Sequence, residues 1–257
     1  VLVTERRERM LELTRERGTV SIGDLAAALQ VSVMTVRRDI ELLADEGIVE
    51  RVRGGVRMPS ATRTSAAAPA TTAERRAIAA HAASFVEQGM AVGISGGPTS
   101  LALARELVRV PELTVVTNSL AVSDLFSPPE RADAPYTQTV VLTGGVRTPA
   151  GSLVGPVAVR ALEHLHCDLV FIDAHGLDVQ AGITTMNLLE AETNRAFMAA
   201  AREVVVLADH TRWGVVGLTT VADLTDIDRL VTDEGLDAGA REQLAAHVGA
   251  LHLAAIG

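Results

Sequence analysis

From residue 90 onward, short runs built largely from Val, Leu and Ile alternate with stretches of helical periodicity; the runs are 90–95, 113–117, 139–143, 169–173, 204–209 and 229–232. A strand that is apolar at nearly every position buries both of its faces, and strands of that kind with helices between them form a parallel sheet covered on two sides. The expected fold class is therefore α/β, with a parallel-sheet domain over 74–257. In an open sheet of this kind, ligands bind beyond the carboxyl ends of the strands. Polar residues gather there in Ser95-Gly96-Gly97-Pro98-Thr99-Ser100, Thr117-Asn118-Ser119, Thr143-Gly144-Gly145, Asp173-Ala174-His175-Gly176 and Asp209-His210-Thr211-Arg212. Five polar strand ends predict one cleft.

The first of these loops sets Gly96 and Gly97, which let a ligand approach the backbone, before Thr99 and Ser100 at the expected start of a helix. Unpaired amides at a helix start attract an anion, so Ser95 through Ser100 reads as a phosphate cradle. An ordinary strand-to-helix turn would carry the same Gly and Pro signals. A nucleotide is not indicated, because the chain has no lysine for a Walker loop and no GxGxxG. Arg212 offers a bidentate phosphate contact or, equally, a surface ion pair with a neighbouring carboxylate. Asn118, Glu190 and His175 are candidates for sugar hydroxyls, or caps and loop residues; Gly144, Gly145 and Asp209 complete the expected effector set. His164, His166 and Cys167 look like a metal cluster, but histidines two apart on a helix face different ways and no matching pair exists elsewhere, so neither metal nor cofactor is expected.

Ahead of this domain, residues 59–73 (PSATRTSAAAPATTA) are small and polar with two prolines, the composition of a linker. Residues 1–58 read differently again. Ser21 with Asp24 three residues on resembles a capping box, and Ile22, Leu25, Ala26 and Leu29 recur at helical spacing. Ser32 caps the next helix, whose Val33, Val36, Ile40 and Leu43 form the expected buried stripe. Met34, Thr35, Arg37 and Arg38 are then left facing outward on its first two turns, and in helix-turn-helix pairs this end of the second helix reaches base edges. From Ile48 the pattern turns extended, and Gly54-Gly55 supply a turn. Arg51, Arg53 and Arg57, with no acidic residue between them, suit such a hairpin to a phosphate backbone. Solvated arginines paired with Asp39 or Glu41 would explain each feature singly. Their succession in one short segment points to a winged helix-turn-helix reader of double-stranded DNA, with Ser32, Met34, Thr35, Arg37, Arg38, Arg51, Arg53, Gly54 and Gly55 as its expected contacts.

Charge refines this. Residues 1–57 hold ten arginines against ten acidic residues, so no generic basic coat exists and DNA affinity rests on local placement. The formal charge of −9 sits wholly in the remainder, which is not a nucleic-acid surface. Aromatic content of 2% leaves few rings to stack on unpaired bases. Schiff-base chemistry is excluded by the lack of lysine. A lone Cys167 has no disulfide partner in the chain, and no apolar run approaches the roughly 20 residues that span a bilayer, so a soluble cytoplasmic protein with no membrane partner is expected.

Along nearly its whole length the chain resembles the DeoR family of bacterial transcriptional regulators. The N-terminal matches are Val20 to Leu29, Val31-Ser32, Thr35 to Ile40, Gly47 to Val49 and Gly54-Gly55. Those further on are Gly97 and Thr99, Thr117 to Ser119, Gly144-Gly145, Gly151-Ser152 to Gly155-Pro156, Gly182 to Thr185, Glu190-Ala191 and Ala208-Asp209. The resemblance implies a repressor of carbohydrate-metabolism genes rather than an enzyme. Its C-terminal domain, similar in fold to sugar-phosphate isomerases, would bind a phosphorylated sugar and weaken the hold on operator DNA. A homodimer or higher homo-oligomer would present paired reading helices to half-sites about 10 bp apart or multiples of that. The chain departs from the family pattern at Ser95 and Pro98, where an aspartate and a threonine are usual. It departs again at His175, usually an aspartate, and at Asn194 and Arg212, usually lysines. Two alternatives stand beside the phosphosugar: a regulator sensing a non-phosphorylated ligand or partner protein, and an isomerase-like enzyme with a DNA-binding appendage.

Overall fold

The computed structural model describes residues 3–17, 19–45, 49–52, 55–57, 72–126 and 138–256. The chain divides into two compact units, Val1–Pro69 and Ala70–Gly257. The first runs α1 (Val3–Arg17), β1 (Thr19–Ser21), α2 (Ile22–Leu29), α3 (Val33–Asp45), β2 (Glu50–Val52) and β3 (Gly55–Arg57). Helix α2 starts where the Ser21 hydroxyl accepts the Asp24 amide at 3.0 Å, and it ends at Gln30, which takes a left-handed conformation with φ 53°. Helix α3 starts the same way, with the Ser32 hydroxyl accepting the Thr35 amide at 3.1 Å. The three strands form an antiparallel sheet in the order β1-β3-β2, with Val56 opposite both Val20 and Arg51. Met10, Leu13, Leu25, Leu29, Val36, Ile40, Leu43 and Val56 make the core.

Two features of α3 differ from the sequence reading. Val33 is 46% exposed rather than part of the buried stripe. Side chains on a helix lean toward its N-terminus, so a residue at the first position projects past the helix end instead of onto α2. Asp39, a charged residue, is buried inside the stripe and accepts from Arg6 Nε at 2.7 Å and Arg7 Nε at 3.1 Å, which ties α1 to α3.

The expected linker lies outside the described residues except for its last two positions, which already belong to α4 (Thr72–Ala83). The larger unit continues with β4 (Ala91–Ile94), α5 (Pro98–Leu107), β5 (Thr114–Thr117), α6 (Leu120–Leu125), β6 (Thr139–Leu142), β7 (Val146–Arg147), β8 (Leu153–Val154), α7 (Pro156–Leu162) and β9 (Cys167–Asp173). Then follow β10 (Gly176–Asp178), β11 (Gly182–Thr185), α8 (Leu188–Ala199), β12 (Ala201–Leu207), β13 (Thr219–Ala222), β14 (Arg229–Asp233), α9 (Ala238–Ala245) and β15 (Ala250–Ala254). Seven strands form one sheet in the order β15-β14-β12-β9-β4-β5-β6, parallel at every pairing. Alternate residues of the strands feed opposite cores: Phe171 packs with Ile78 and Leu103 of α4 and α5, whereas Val170 and Ile172 pack with Leu162, Phe197 and Leu244 of α7, α8 and α9. The parallel, doubly covered sheet expected from the apolar runs is what forms.

The chain leaves β4 toward β5 and β6 on one side, while β9, β12, β14 and β15 lie on the other. The order therefore reverses between β4 and β9, and a crevice opens at the carboxyl ends of strands at such a point. Two small antiparallel sheets, β10-β11-β13 and the β7-β8 hairpin, and the edge strand β15 add to the six strands expected. Gly145, at φ 124°, lets β7 approach β8, where a Cβ would strike the Val154 carbonyl. Among the described residues, no helix is long and apolar enough to cross a membrane, and no group of three or more His, Cys, Asp or Glu side chains could hold a metal ion.

Candidate functional site

In the smaller unit the first turns of α3 stand free. Met34 is 71% exposed, Arg37 and Arg38 are exposed, and the Thr35 and Ser32 hydroxyls share a hydrogen bond at 2.8 Å. Asp39, one of the partners weighed for these arginines, instead faces α1. Arg51 lies on β2 opposite Val56, with its side chain outside the described residues, as are Arg53 and Gly54. Gly55 is buried at the start of β3, where a Cβ would strike the Val20 carbonyl; its glycine is required by sheet packing. What α3 presents is a row of donors and two exposed apolar side chains, Val33 and Met34, at the end from which such a helix reads base edges.

In the larger unit, the β4 and β9 ends meet at the reversal of strand order. The Asp173 amide donates to the Ser95 hydroxyl at 3.1 Å. In return the Asp173 carboxylate accepts the amides of Thr99 at 2.7 Å and Ser100 at 3.3 Å, the first turn of α5. These are the amides expected to hold phosphate. A Cβ on Gly97 would run into this carboxylate, so glycine is what lets it sit so close. Thr99 and Ser100 are buried, and the Ser100 Oγ has no hydrogen-bond partner.

Asn118 is buried and used at both ends, accepting from the Gly96 amide at 2.9 Å and donating to the Leu153 carbonyl at 3.0 Å; it straps the β4 loop to β8. Gly144 lies beside Val157, and Gly145 serves the β7-β8 hairpin. Glu190, in the first turn of α8, accepts from the Thr185 hydroxyl at 3.1 Å. Asp209 is buried, accepts the amide and hydroxyl of Thr211, and lies 3.5 Å from Arg212 Nε. Of the twelve effector candidates, the structure gathers Ser95, Gly96, Gly97, Thr99, Ser100 and Asn118 around the β4–α5 loop. Asp209 and Arg212 adjoin that group through their charges, and His175 lies near Arg212, while Gly144 and Gly145 serve the β7 region and Glu190 pairs with Thr185.

Electrostatics centre on Asp173. Loss of water pushes its carboxyl up to about 6; the Arg212 charge and the two amide hydrogen bonds oppose the rise, and the Asp209 charge adds to it. His175 presents a solvent-facing side chain, yet the water displaced by the protein around it and the nearby Arg212 charge lower its pKa. One guanidinium thus faces two aspartates. From the sequence, Asp173 is one of the polar strand-end residues and carries no assigned role. The signal was present in Leu169-Val170-Phe171-Ile172-Asp173, where a carboxylate closes an otherwise apolar central strand. Asp233, which no sequence signal singles out, is fully buried and accepts from His210 Nδ1 at 2.7 Å and the His210 amide at 2.8 Å.

A capped reading helix with a small sheet, together with an α/β unit that gathers polar strand ends at a switch point, defines a helix-turn-helix transcriptional regulator with a small-molecule sensor domain. Residues 6–62 match the family described as the DeoR-like helix-turn-helix domain, and residues 70–234 match the DeoR C terminal sensor domain. The chain belongs to the DeoR family, as its residues had suggested. It is 34% identical over 249 residues to the "uncharacterized HTH-type transcriptional regulator YgbI" of Escherichia coli K12, covering 95% of each chain. It is 25% identical over 232 residues to the glycerol-3-phosphate regulon repressor of Haemophilus influenzae, covering 89% of each. Among solved structures, ribose 5-phosphate isomerase A of Methanocaldococcus jannaschii aligns with TM-score 0.38 and 17% identity over 54% of this chain and 53% of that one, too slight a similarity to bear on function.

Proposed function

We propose that this chain is a repressor of carbohydrate-metabolism genes, and not an enzyme. It holds double-stranded operator DNA as a homodimer or higher homo-oligomer and releases it when a small sugar metabolite binds at the carboxyl ends of β4, β9 and β12. Residues 1–58 form the reader, 59–73 the linker and 74–257 the sensor. Ser32, Met34, Thr35, Arg37 and Arg38 enter the major groove, and Arg51, Arg53, Gly54 and Gly55 form a wing on the phosphate backbone. The observation that carries this reading is the exposed, serine-capped start of α3, whose neighbouring acid Asp39 is turned away to α1. Release requires the metabolite to favour one conformation of the protein over another. A phosphorylated sugar is the effector read from the sequence, and the name of the Haemophilus relative supports that chemistry. An unphosphorylated ligand is favoured by the carboxylate already seated on the α5 amides.

The test is selection of duplexes by the full-length protein from a randomised pool, followed by titration of the enriched duplex with a panel of sugars and sugar phosphates. One enriched motif, bound weakly by the Arg37→Ala/Arg38→Ala double variant and released by a member of the panel, is the expected result. Equal binding by that variant, or no enriched motif, refutes the reading.

A further inference from the structure

We propose that Asp173 is the specificity-determining residue of the sensor: its carboxylate occupies the anion site at the start of α5, bars phosphate from it, and leaves these strand ends to an uncharged polyhydroxylated ligand. The inference rests on the reading of these strand ends as the effector site. Its geometry is direct. Anions at a helix N-terminus are held by the free amides of the first turn, and here the amides of Thr99 and Ser100 converge on Asp173 Oδ2 at 2.7 and 3.3 Å. Three other features hold the carboxylate in place. The Asp173 backbone is pinned to Ser95 at 3.1 Å. Gly97 lacks the Cβ that would push the side chain off. Asp173 also ends β9, a strand paired on both sides within the sheet.

Charge reinforces sterics. A phosphate entering this turn would meet Asp173, with buried Asp209 adding negative charge, while Arg212 opposes it and the amides are already taken. Repulsion between two unit charges about 4 Å apart near a protein surface corresponds to roughly a thousandfold in affinity. A hydroxyl-bearing ligand meets no such barrier, because its O–H groups donate to the same carboxylates. The Ser100 Oγ, buried in that first turn without a partner, is the kind of neutral group that a sugar hydroxyl would satisfy.

The experiment is binding of inorganic phosphate, of ribose 5-phosphate and glucose 6-phosphate, and of the parent sugars to the full-length wild type and to Asp173→Ala and Asp173→Asn. Binding is followed at constant ionic strength by calorimetry and by the fluorescence of Trp213, the only tryptophan, next to Arg212. Wild type shows no saturable binding of millimolar phosphate. Asp173→Ala, with the amides uncovered, gains phosphate affinity of at least about tenfold, and Asp173→Asn, uncharged but still able to accept from the amides, gains less. Saturable phosphate or phosphosugar binding by wild type that Asp173→Ala leaves unchanged overturns the proposal, and so does wild-type affinity for phosphate equal to that of the variants. If Asp173→Ala fails to fold, the near-isosteric Asp173→Asn supplies the comparison, and absence of any gain in phosphate affinity there overturns the proposal. Failure of the functional reading shows separately, as operator binding that no ligand releases, and does not alter the phosphate result.

Discussion

Replacing Asp173 with asparagine swaps a carboxylate for a neutral side chain of nearly the same shape that can still accept the Thr99 and Ser100 amides. The carboxyl sits near 6 against a reference of 3.8. A group raised in this way favours the folded state while protonated, and that contribution is lost as pH rises through the folded-state value. A carboxyl whose pKa is raised by one costs about 1.4 kcal/mol once ionised, so ionised Asp173 costs about 3 kcal/mol at pH 7.5, an upper bound because the side chain keeps some contact with water. Asp173→Asn should therefore be more stable than wild type at pH 7.5 by up to about 3 kcal/mol, or a midpoint higher by up to roughly 10 °C for a unit of this size. The assay is denaturant unfolding of both proteins from pH 4 to 8. The charges of Arg212 and Asp209 bear on this carboxyl, and His175 lies near Arg212, so the quantity to follow is the difference between the two proteins. It should be largest above pH 6 and fade toward pH 4 as wild type takes up its proton. A variant no more stable than wild type at pH 7.5, or a difference independent of pH, would refute the assignment of a strained, water-deprived carboxylate.

Arg37→Ala and Arg38→Ala should each weaken operator binding, by about 1–3 kcal/mol for one that reads a base, without moving the thermal midpoint; fluorescence anisotropy on a defined duplex measures this. Gly97→Ala should destabilise the sensor by about 1–3 kcal/mol, because the added methyl collides with the Asp173 carboxylate, and calorimetric unfolding reads the loss. Ser100→Ala removes a buried hydroxyl that has no partner and should raise stability by about 1 kcal/mol while weakening any sugar that binds. For Asp39, burial opposes ionisation, but the hydrogen bonds and charges of Arg6 and Arg7 outweigh it and hold the carboxyl below its usual range. Asp39→Asn should lower the unfolding midpoint of the smaller unit near neutral pH. The gap between wild type and variant should start to close below about 4, the ordinary carboxyl value, and vanish as pH falls through the depressed value of the folded carboxyl.

The large sheet was legible because its strands are buried on two faces, and Val204 to Leu207 or Leu169 to Ile172 admit no other reading. The satellite strands were not. Val146–Arg147 and Leu153–Val154 are two residues each, and Gly176–Asp178 alternates nothing, so their pairing is decided by close backbone approach at Gly145 and Gly176 rather than by a local pattern. The caps at Ser21 and Ser32 were readable because a cap acts within three residues. The partnership of Asp39 with Arg6 and Arg7 spans more than thirty residues, and a charged residue in an amphipathic helix ordinarily marks the solvent face. The loop before α5 reads in the sequence as an anion site, and in the structure its amides are taken by a carboxylate of the chain itself. What sequence could not supply was its occupant, since the anion arrives from a strand more than seventy residues further along.

The clamp on Asp39 bears on how salt should act on operator binding. Arg6 and Arg7 share one buried carboxylate, so the three groups together keep a single positive charge, and at most one of the two arginines enters the count of phosphates neutralised. That pair is also screened only weakly, so added salt should loosen the complex without loosening the reader itself. The slope of log affinity against log salt then counts the arginines of the α3 face and the hairpin, with at most one more from the clamp.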